Sequence, residues 1–335
     1  MRLRTVLAAA IIVFAPASAS AGARAASLMT LPVETQAALE TLRASIERYR
    51  DFAVAEAEGW RPFGGEEPLM GRHYHLRDGV DYAGPETAPN PARPSNLMYS
   101  MIGGEPMLTG VAFAIRIAEG EPLPEGFAGE ADVWHVHDVP DVIAAATAER
   151  PILRFLAGMW LEHGFRGTDD GRDRLAMVHV WATLDNPDGV FAHHNRLVPY
   201  LKHGLPPHFA EGGTMAAARG LAVAAPDGCE NSFEGRLWIA DAERWQRRAV
   251  LAACETEAEA VRAAVAARGP DGAAWLDAVA AAAWSRLETT FAQIMTREQQ
   301  ARIAAIAEHT EAHDRSVGSR GWHLAPGDAD GAHRH

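Results

Sequence analysis

The pattern of apolar and polar positions predicts a long helix near the start of the chain. Between Leu31 and Trp60 the apolar residues recur three or four positions apart, which is helical spacing. The residues that follow this spacing are Leu39, Leu42, Ile46, Tyr49 and Ala53. Because Gly59 and Pro62 are typical of helix ends, we expect the helix to stop at about Trp60.

The region from Arg61 to about Tyr200 has a different pattern, with frequent Gly, Pro and Asn and with short apolar runs that are typical of strands. The predicted strands are Arg72–Leu76, Asn96–Ile102, Met107–Ile117, Asp132–Asp138 and Leu175–Thr183. Gly103 and Gly104 separate two of these runs and indicate a hairpin. The apolar stretch 142–161 favours a helix, and the polar, Gly-rich stretch 162–173 favours a loop.

From about Pro206 the chain is rich in Ala and has helical periodicity. The predicted helices are Ala216–Ala225, Asp241–Arg268, Ala273–Met295 and Arg297–His313. The sequence Gly269-Pro270-Asp271-Gly272 marks a break between two of them.

Together these elements predict an α+β fold with an N-terminal helix, a β-rich central domain and a C-terminal helical region. We expect the central domain to form a small barrel or a jelly-roll-like sheet. The predicted organisation is a signal peptide over 1–25, the helix and β-rich domain over 26–204, the helical region over 205–315, and a flexible His-rich tail over 316–335.

Residues 1–25 have the pattern of a secretory signal peptide. Arg2 and Arg4 precede the apolar run Val6–Ala15, and small residues that fit an A-x-A cleavage pattern follow it. The apolar run is too short to span a bilayer, and no later segment is long and apolar enough to do so. The sequence therefore predicts a periplasmic or secreted protein with no membrane span after signal removal.

The charge balance excludes one class of partner. The chain has 31 Lys and Arg against 44 Asp and Glu, a formal net charge of −13. A nucleic-acid-binding protein needs a basic face for phosphates, so we expect no nucleic-acid partner. The partner that the sequence leaves open is an unknown small molecule or protein.

Cys229 and Cys254 are the two cysteines of the chain. In an exported protein such a pair is more typical of a disulfide than of a metal or redox site, although two buried thiols are the alternative. A disulfide here would close a loop of about 26 residues and stabilise the fold by roughly 3.5 kcal/mol in the loop-entropy model.

Histidines of the predicted strands are the strongest candidates for chemistry. His73 and His75 form one H-x-H pair and His135 and His137 a second; His179 lies on another strand. Alternate side chains of a strand share a face, so each pair would present two imidazoles on one side of the sheet. Imidazole binds Zn, Cu, Fe and Ni, so converging strands would form a transition-metal site. The alternative is that these histidines are structural and bond to backbone and carboxylate groups.

Carboxylates near these strands are candidates for a supporting role. A ligating imidazole usually donates its other ring N–H to a carboxylate or carbonyl. Glu66, Glu67, Asp132 and Asp138 are nearby candidates for that role or for direct ligation. Met residues also cluster in the central region, where core packing is their default role and Cu(I) ligation the alternative.

Other motifs are weaker. Gly129 with His135-x-His137 has the spacing of the first cupin metal motif, but Asp141 replaces the expected Glu and the second motif is incomplete. His309 and His313 are four apart on a predicted helix without the Glu of a zinc protease. We expect His193 and His194 to be surface residues. The sequence contains no serine-hydrolase elbow, dinucleotide fingerprint or P-loop.

Residues 45–196 carry several short signatures in order. They are Met70-Gly71-Arg72-His73-Tyr74, Leu108-Thr109-Gly110-Val111, His179-Val180-Trp181, and Asn186-Pro187-Asp188-Gly189-Val190-Phe191 followed by Asn195. In these signatures the chain resembles a widespread family of exported bacterial proteins of unknown function. The resemblance implies export and a common site that includes His73 and His179, and it implies no particular reaction.

The function that the sequence predicts is binding of a transition metal, Cu or Zn with Fe as a third candidate. The proposed ligands are His73, His135, His137 and His179, with His75 in reserve, and the metal would make the protein a candidate metalloenzyme of unknown substrate. The alternatives are a non-enzymatic binding or scaffold protein with structural histidines, and a b-type haem protein with His and Met ligands.

Overall fold

A six-stranded antiparallel sheet lies at the centre of the protein. The computed structural model describes residues 31–76, 89–118, 120–123, 126–127, 132–137, 174–267 and 272–304. The predicted signal peptide 1–25, helix 142–161, loop 162–173 and tail 316–335 lie outside the described residues. Helices precede and follow the sheet, so the α+β class is confirmed.

The N-terminal helix is interrupted, which corrects the expectation of one helix from Leu31 to Trp60. Helix α1 spans Val33–Ile46, a 3-10 turn spans Glu47–Arg50, and helix α2 spans Phe52–Ala57. The break lies at Asp51, whose backbone is extended and whose carboxylate accepts a hydrogen bond of 3.0 Å from the Ala53 amide. An Asp that caps a new helix in this way competes with continuation of the preceding one.

The strands are β1 (Trp60–Glu67), β2 (Gly71–Leu76), β3 (Asn96–Ile102), β4 (Glu105–Ile117), β5 (His135–His137) and β6 (Arg174–Val180). Their order across the sheet is β1-β2-β3-β4-β6-β5, with every neighbouring pair antiparallel. The predicted hairpin at Gly103-Gly104 is present, and both glycines have the positive φ that this turn requires.

The sheet is open, so the expectation of a small barrel is wrong. Closure requires the two edge strands to pair. In the part of the chain that the structure describes, β1 pairs with β2 alone and β5 with β6 alone. A jelly roll needs a second packed sheet, and the described strands form one sheet.

The two faces of the sheet have different surroundings. One face packs against α1, where Leu39, Leu42 and Ile46 are fully buried in one cluster with Val111 and Val178. The opposite face carries a smaller buried apolar cluster: Met70, Met98, Ala112, Ala114, Leu175, Met177, Trp181 and Val198. This second face also carries the histidines of the strands.

The helices after the sheet are α3 (Leu197–Lys202), α4 (Met215–Ala224), α5 (Gly228–Ile239), α6 (Arg244–Ala267) and α7 (Ala273–Ile294), and residues 297–304 are helical. Three of them match predicted helices, whereas α3 and α5 are additional. Helix α5 contains Gly228, Asn231 and Gly235, which are poor helix formers. Tertiary packing through the buried residues Phe233 and Leu237 therefore sets its conformation.

Cys229 of α5 and Cys254 of α6 form a disulfide with a Cα–Cα distance of 5.8 Å, as the sequence predicted. Both residues are buried in the helical core. Among the described helices, none combines the length and the apolar character that a membrane crossing needs.

We expect Gly110→Ala to destabilise the sheet by about 1–3 kcal/mol, the usual range for overpacking. A Cβ at Gly110 would lie 2.8 Å from Met98 Cε and 2.9 Å from the Val180 carbonyl oxygen. Gly65→Ala is the matched control, because a Cβ there meets no atom within 4 Å. Urea unfolding of both variants measures the effect; equal free energies of unfolding would contradict this packing.

Replacing both cysteines by Ala should lower the free energy of unfolding by about 3–4 kcal/mol, because the unfolded chain loses a covalent constraint. Urea unfolding of the oxidised protein and of the variant measures the difference. An unchanged unfolding midpoint would show that the disulfide is absent from the folded protein.

Candidate metal centre

Strands β5 and β6 place two histidines on one face of the sheet. His135 is paired with Met177, and His179 lies two residues further along β6, so the three side chains share a face. The ring centroids of His135 and His179 are 4.8 Å apart. Both side chains are buried, with His135 2% and His179 1% exposed.

His73 reaches the same place from β2, which is three strands away from β6. Strands lie about 4.8 Å apart, so the two backbones are separated by roughly 14 Å. The Nε2 atoms of His73 and His179 are nevertheless 3.3 Å apart. The side chains therefore lean toward each other above β3 and β4, where the residue paired with His179 is the small Ala112.

A folded-back loop after β6 brings His193 and His194 to the site, which corrects the expectation that they are surface residues. The Trp181 amide donates to the Val190 carbonyl oxygen at 2.8 Å, and Trp181 Nε1 donates to the Ala192 carbonyl oxygen at 2.6 Å. Asn186 Nδ2 donates to the His194 carbonyl oxygen at 2.8 Å. These bonds return His193 and His194 to the sheet.

The residues that fix this loop include the signature residues His179, Trp181, Asn186 and Asn195. Asn195 Nδ2 donates to the Asp185 carbonyl oxygen at 3.0 Å, and its backbone amide donates to the Leu69 carbonyl oxygen at 2.9 Å. The turn signature was therefore the signal that could have identified His193, because it fixes the loop on which His193 lies.

Six described histidines form what we call the histidine cluster: His73, His135, His137, His179, His193 and His194. The closest ring pairs are His135 with His193 at 3.9 Å, His193 with His194 at 4.3 Å, and His135 with both His137 and His179 at 4.8 Å. Within it, His135, His179 and His193 each offer a ligand atom, and these atoms all lie within 4.8 Å of one another. These three residues are close enough to bind a metal ion.

The hydrogen bonds of His179 assign its tautomer. Its Nδ1 lies 2.7 Å from the His193 carbonyl oxygen, which can only accept, so Nδ1 carries the proton. Nε2 then presents a lone pair toward His73. Two nitrogen ligands about 2.0–2.1 Å from a tetrahedral zinc ion lie about 3.3 Å apart, which is the His73–His179 spacing.

Burial keeps these imidazoles neutral at neutral pH. It lowers the pKa of His135 and of His179 well below the ordinary value, and neighbouring histidines add to the effect. Burial, followed by the charge of His137, lowers the pKa of His73 to about 4. Burial, followed by the charge of Arg219, lowers the pKa of His194 to about 4. Neutral imidazole is the form that binds metal.

The other residues predicted as ligands or supporting carboxylates lie outside the closest group of histidines. His137 is exposed but adjoins His135, whereas His75 is half-buried on β2 and lies outside the group of three close histidines. Glu66 forms an ion pair with Lys202, and Asp132 Oδ2 accepts a hydrogen bond of 2.6 Å from the Phe127 amide. The supporting acceptor for His179 is thus a backbone carbonyl rather than a carboxylate.

The Met residues of the central region occupy two environments, a buried face of the sheet and an exposed hairpin. Met70, Met98 and Met177 are buried on the histidine-bearing face, whereas Met101 and Met107 at the hairpin are 50% and 41% exposed. The buried three belong to one apolar cluster, where packing is the default role for Met.

Comparison of the chain with models of protein families, with curated proteins and with solved structures gives no match. The function is therefore inferred from the chemistry of the histidine cluster.

The metal-free protein should lose stability as the pH falls from 6.5 toward 4. In that window unfolded histidines bind protons while folded His73 and His194 do not, so protons favour the unfolded state. Each such group lowers the free energy of unfolding by up to about 1.4 kcal/mol per pH unit. Urea unfolding with EDTA at pH 7.5 and 5.0 measures the slope. His194→Gln should reduce it, and an unchanged slope would contradict this burial.

Proposed function

We propose that this protein is an exported transition-metal protein whose metal centre is the histidine cluster. The observation that carries the proposal is the group His135, His179 and His193, whose ligand atoms lie within 4.8 Å of one another. His73 joins this group, because its Nε2 has the spacing of a second ligand next to His179 Nε2.

The donor set selects the class of metal. Imidazole nitrogens suit Zn, Cu, Fe and Ni, whereas Mg and Ca prefer oxygen ligands. The closest group consists of histidines alone. Cu or Zn is the metal we favour, with Fe as a third candidate, and the His193 carbonyl would hold His179 in the ligating tautomer.

The number of ligands decides between two roles. Three nitrogen ligands leave one position open on a tetrahedral ion, which would let the ion polarise a substrate or activate water. In that case the protein is a metalloenzyme whose substrate is a small molecule or a protein. If His73 completes a set of four, the ion is closed off and serves storage, transfer or structure.

Export is supported by two features of the chain. The first is the signal-peptide pattern of residues 1–25, and the second is the Cys229–Cys254 disulfide, which persists in oxidising compartments. The family signatures of residues 45–196 agree with the proposed metal centre, since several of their residues either belong to the histidine cluster or fix the loop beside it.

The chain, produced without an affinity tag, should contain at least one tightly bound Cu, Zn or Fe per molecule by elemental mass spectrometry. Bound metal stabilises the folded state, by about 2.7 kcal/mol when the free ion is at 100 times its dissociation constant. EDTA should therefore lower the melting temperature. A visible absorption spectrum of the same sample would reveal bound haem.

The ligand assignment is tested by His179→Gln, which should lose the bound metal and the effect of EDTA on melting. The matched control is His208→Gln, at an exposed histidine outside the cluster. Full metal content in His179→Gln would refute the assignment. No metal in the unmodified chain, and none taken up on titration, would instead favour a binding or scaffold protein with structural histidines.

A further inference from the structure

The histidine cluster has more imidazoles than one ion can use. A tetrahedral ion takes four ligands. The six described histidines of the cluster are connected through ring contacts of 3.9–5.3 Å. The His135 ring lies at the centre, in contact with the rings of His137, His179 and His193. His73 adjoins this group through His179, and His194 adjoins it through His193.

His135 has an unusual position in this arrangement. It is 2% exposed, and neither Nδ1 nor Nε2 has a hydrogen-bond partner among the described residues. A buried polar nitrogen without a partner is costly, and His135 has two. A single ion would engage one of these nitrogens and leave the other without a partner.

The neighbours of His135 lie on more than one side of its ring. His193 stacks on it at 3.9 Å, whereas the rings of His137 and His179 are each 4.8 Å away at steep angles of 83° and 57°. The imidazole is therefore flanked by candidate ligands from β6, from its own strand and from the loop after β6.

We propose that the histidine cluster binds two transition-metal ions, with the His135 ring as the bridge between them. One ion would take the group of the proposed centre, His179, His193 and one nitrogen of His135, with His73. The other ion would take the second nitrogen of His135, with His137 and His194. For both nitrogens to donate, the ring N–H proton leaves to solvent and the second ion takes its place. This inference rests on the proposed metal centre and adds its nuclearity.

The test uses the full chain, without a tag, in which the C-terminal histidines His309, His313, His323, His333 and His335 are replaced by Gln. The metal-free protein is titrated with Cu²⁺, bound metal is counted by equilibrium dialysis and elemental mass spectrometry, and each step is followed by electron paramagnetic resonance. We expect two ions per chain, with the Cu²⁺ signal losing intensity as the second ion couples to the first.

The outcomes separate this inference from the proposed function. One ion per chain overturns the pair and leaves the metal centre standing, whereas no bound ion overturns both. Two ions with independent, undiminished signals place the second ion elsewhere and overturn the role of His135.

His135→Phe keeps a planar ring at this position, removes both ring nitrogens, and should reduce binding from two ions to one uncoupled ion. His208→Gln, the exposed control, should still bind two. Two ions in His135→Phe would overturn the bridge. Circular dichroism checks that the variant folds. If it does not fold, the intensity of the Cu²⁺ resonance signal in the protein with the intact cluster decides whether the two ions are coupled.

Discussion

The register of β6 is the constraint on which the site depends. This strand pairs with β4 on one side and β5 on the other, and every one of its residues is buried. A slip of one residue would turn His179 to the face packed against α1 and remove it from His73 and His135. Because both faces of β6 are buried, apolar packing on the α1 side sets which side chains reach the histidine-bearing face.

Burial of neutral imidazoles makes the site able to bind metal. The histidine-bearing face is lined by Met and Ala, which solvate charge poorly, so protonated histidine is disfavoured and nitrogen lone pairs remain available. The same burial leaves both nitrogens of His135 without a partner, which is a cost that folding does not recover within the described residues. A bound cation would recover part of this cost, and for this reason we propose a metal centre rather than structural packing.

The loop after β6 joins the sheet to the helices and completes the site. His179 contributes both a ring nitrogen to the cluster and a hydrogen bond to the carbonyl of His193, so one residue positions another. Trp181 and Asn186 fix the same loop through bonds to main-chain carbonyls. The short signatures seen in the sequence thus have a physical basis here, because their side chains hold the backbone on which His193 lies.

The sequence by itself determined the α+β class, the hairpin, three of the later helices and the disulfide, because periodicity, turn glycines and cysteine count are local signals. It also directed attention to His73, His135 and His179. Tertiary structure alone decided that the sheet stays open and that His193, rather than His73, His137 or His75, joins His135 and His179 in the closest group. These features depend on strand order and on a loop that folds back, and contacts between residues distant in sequence leave no periodic pattern along the chain.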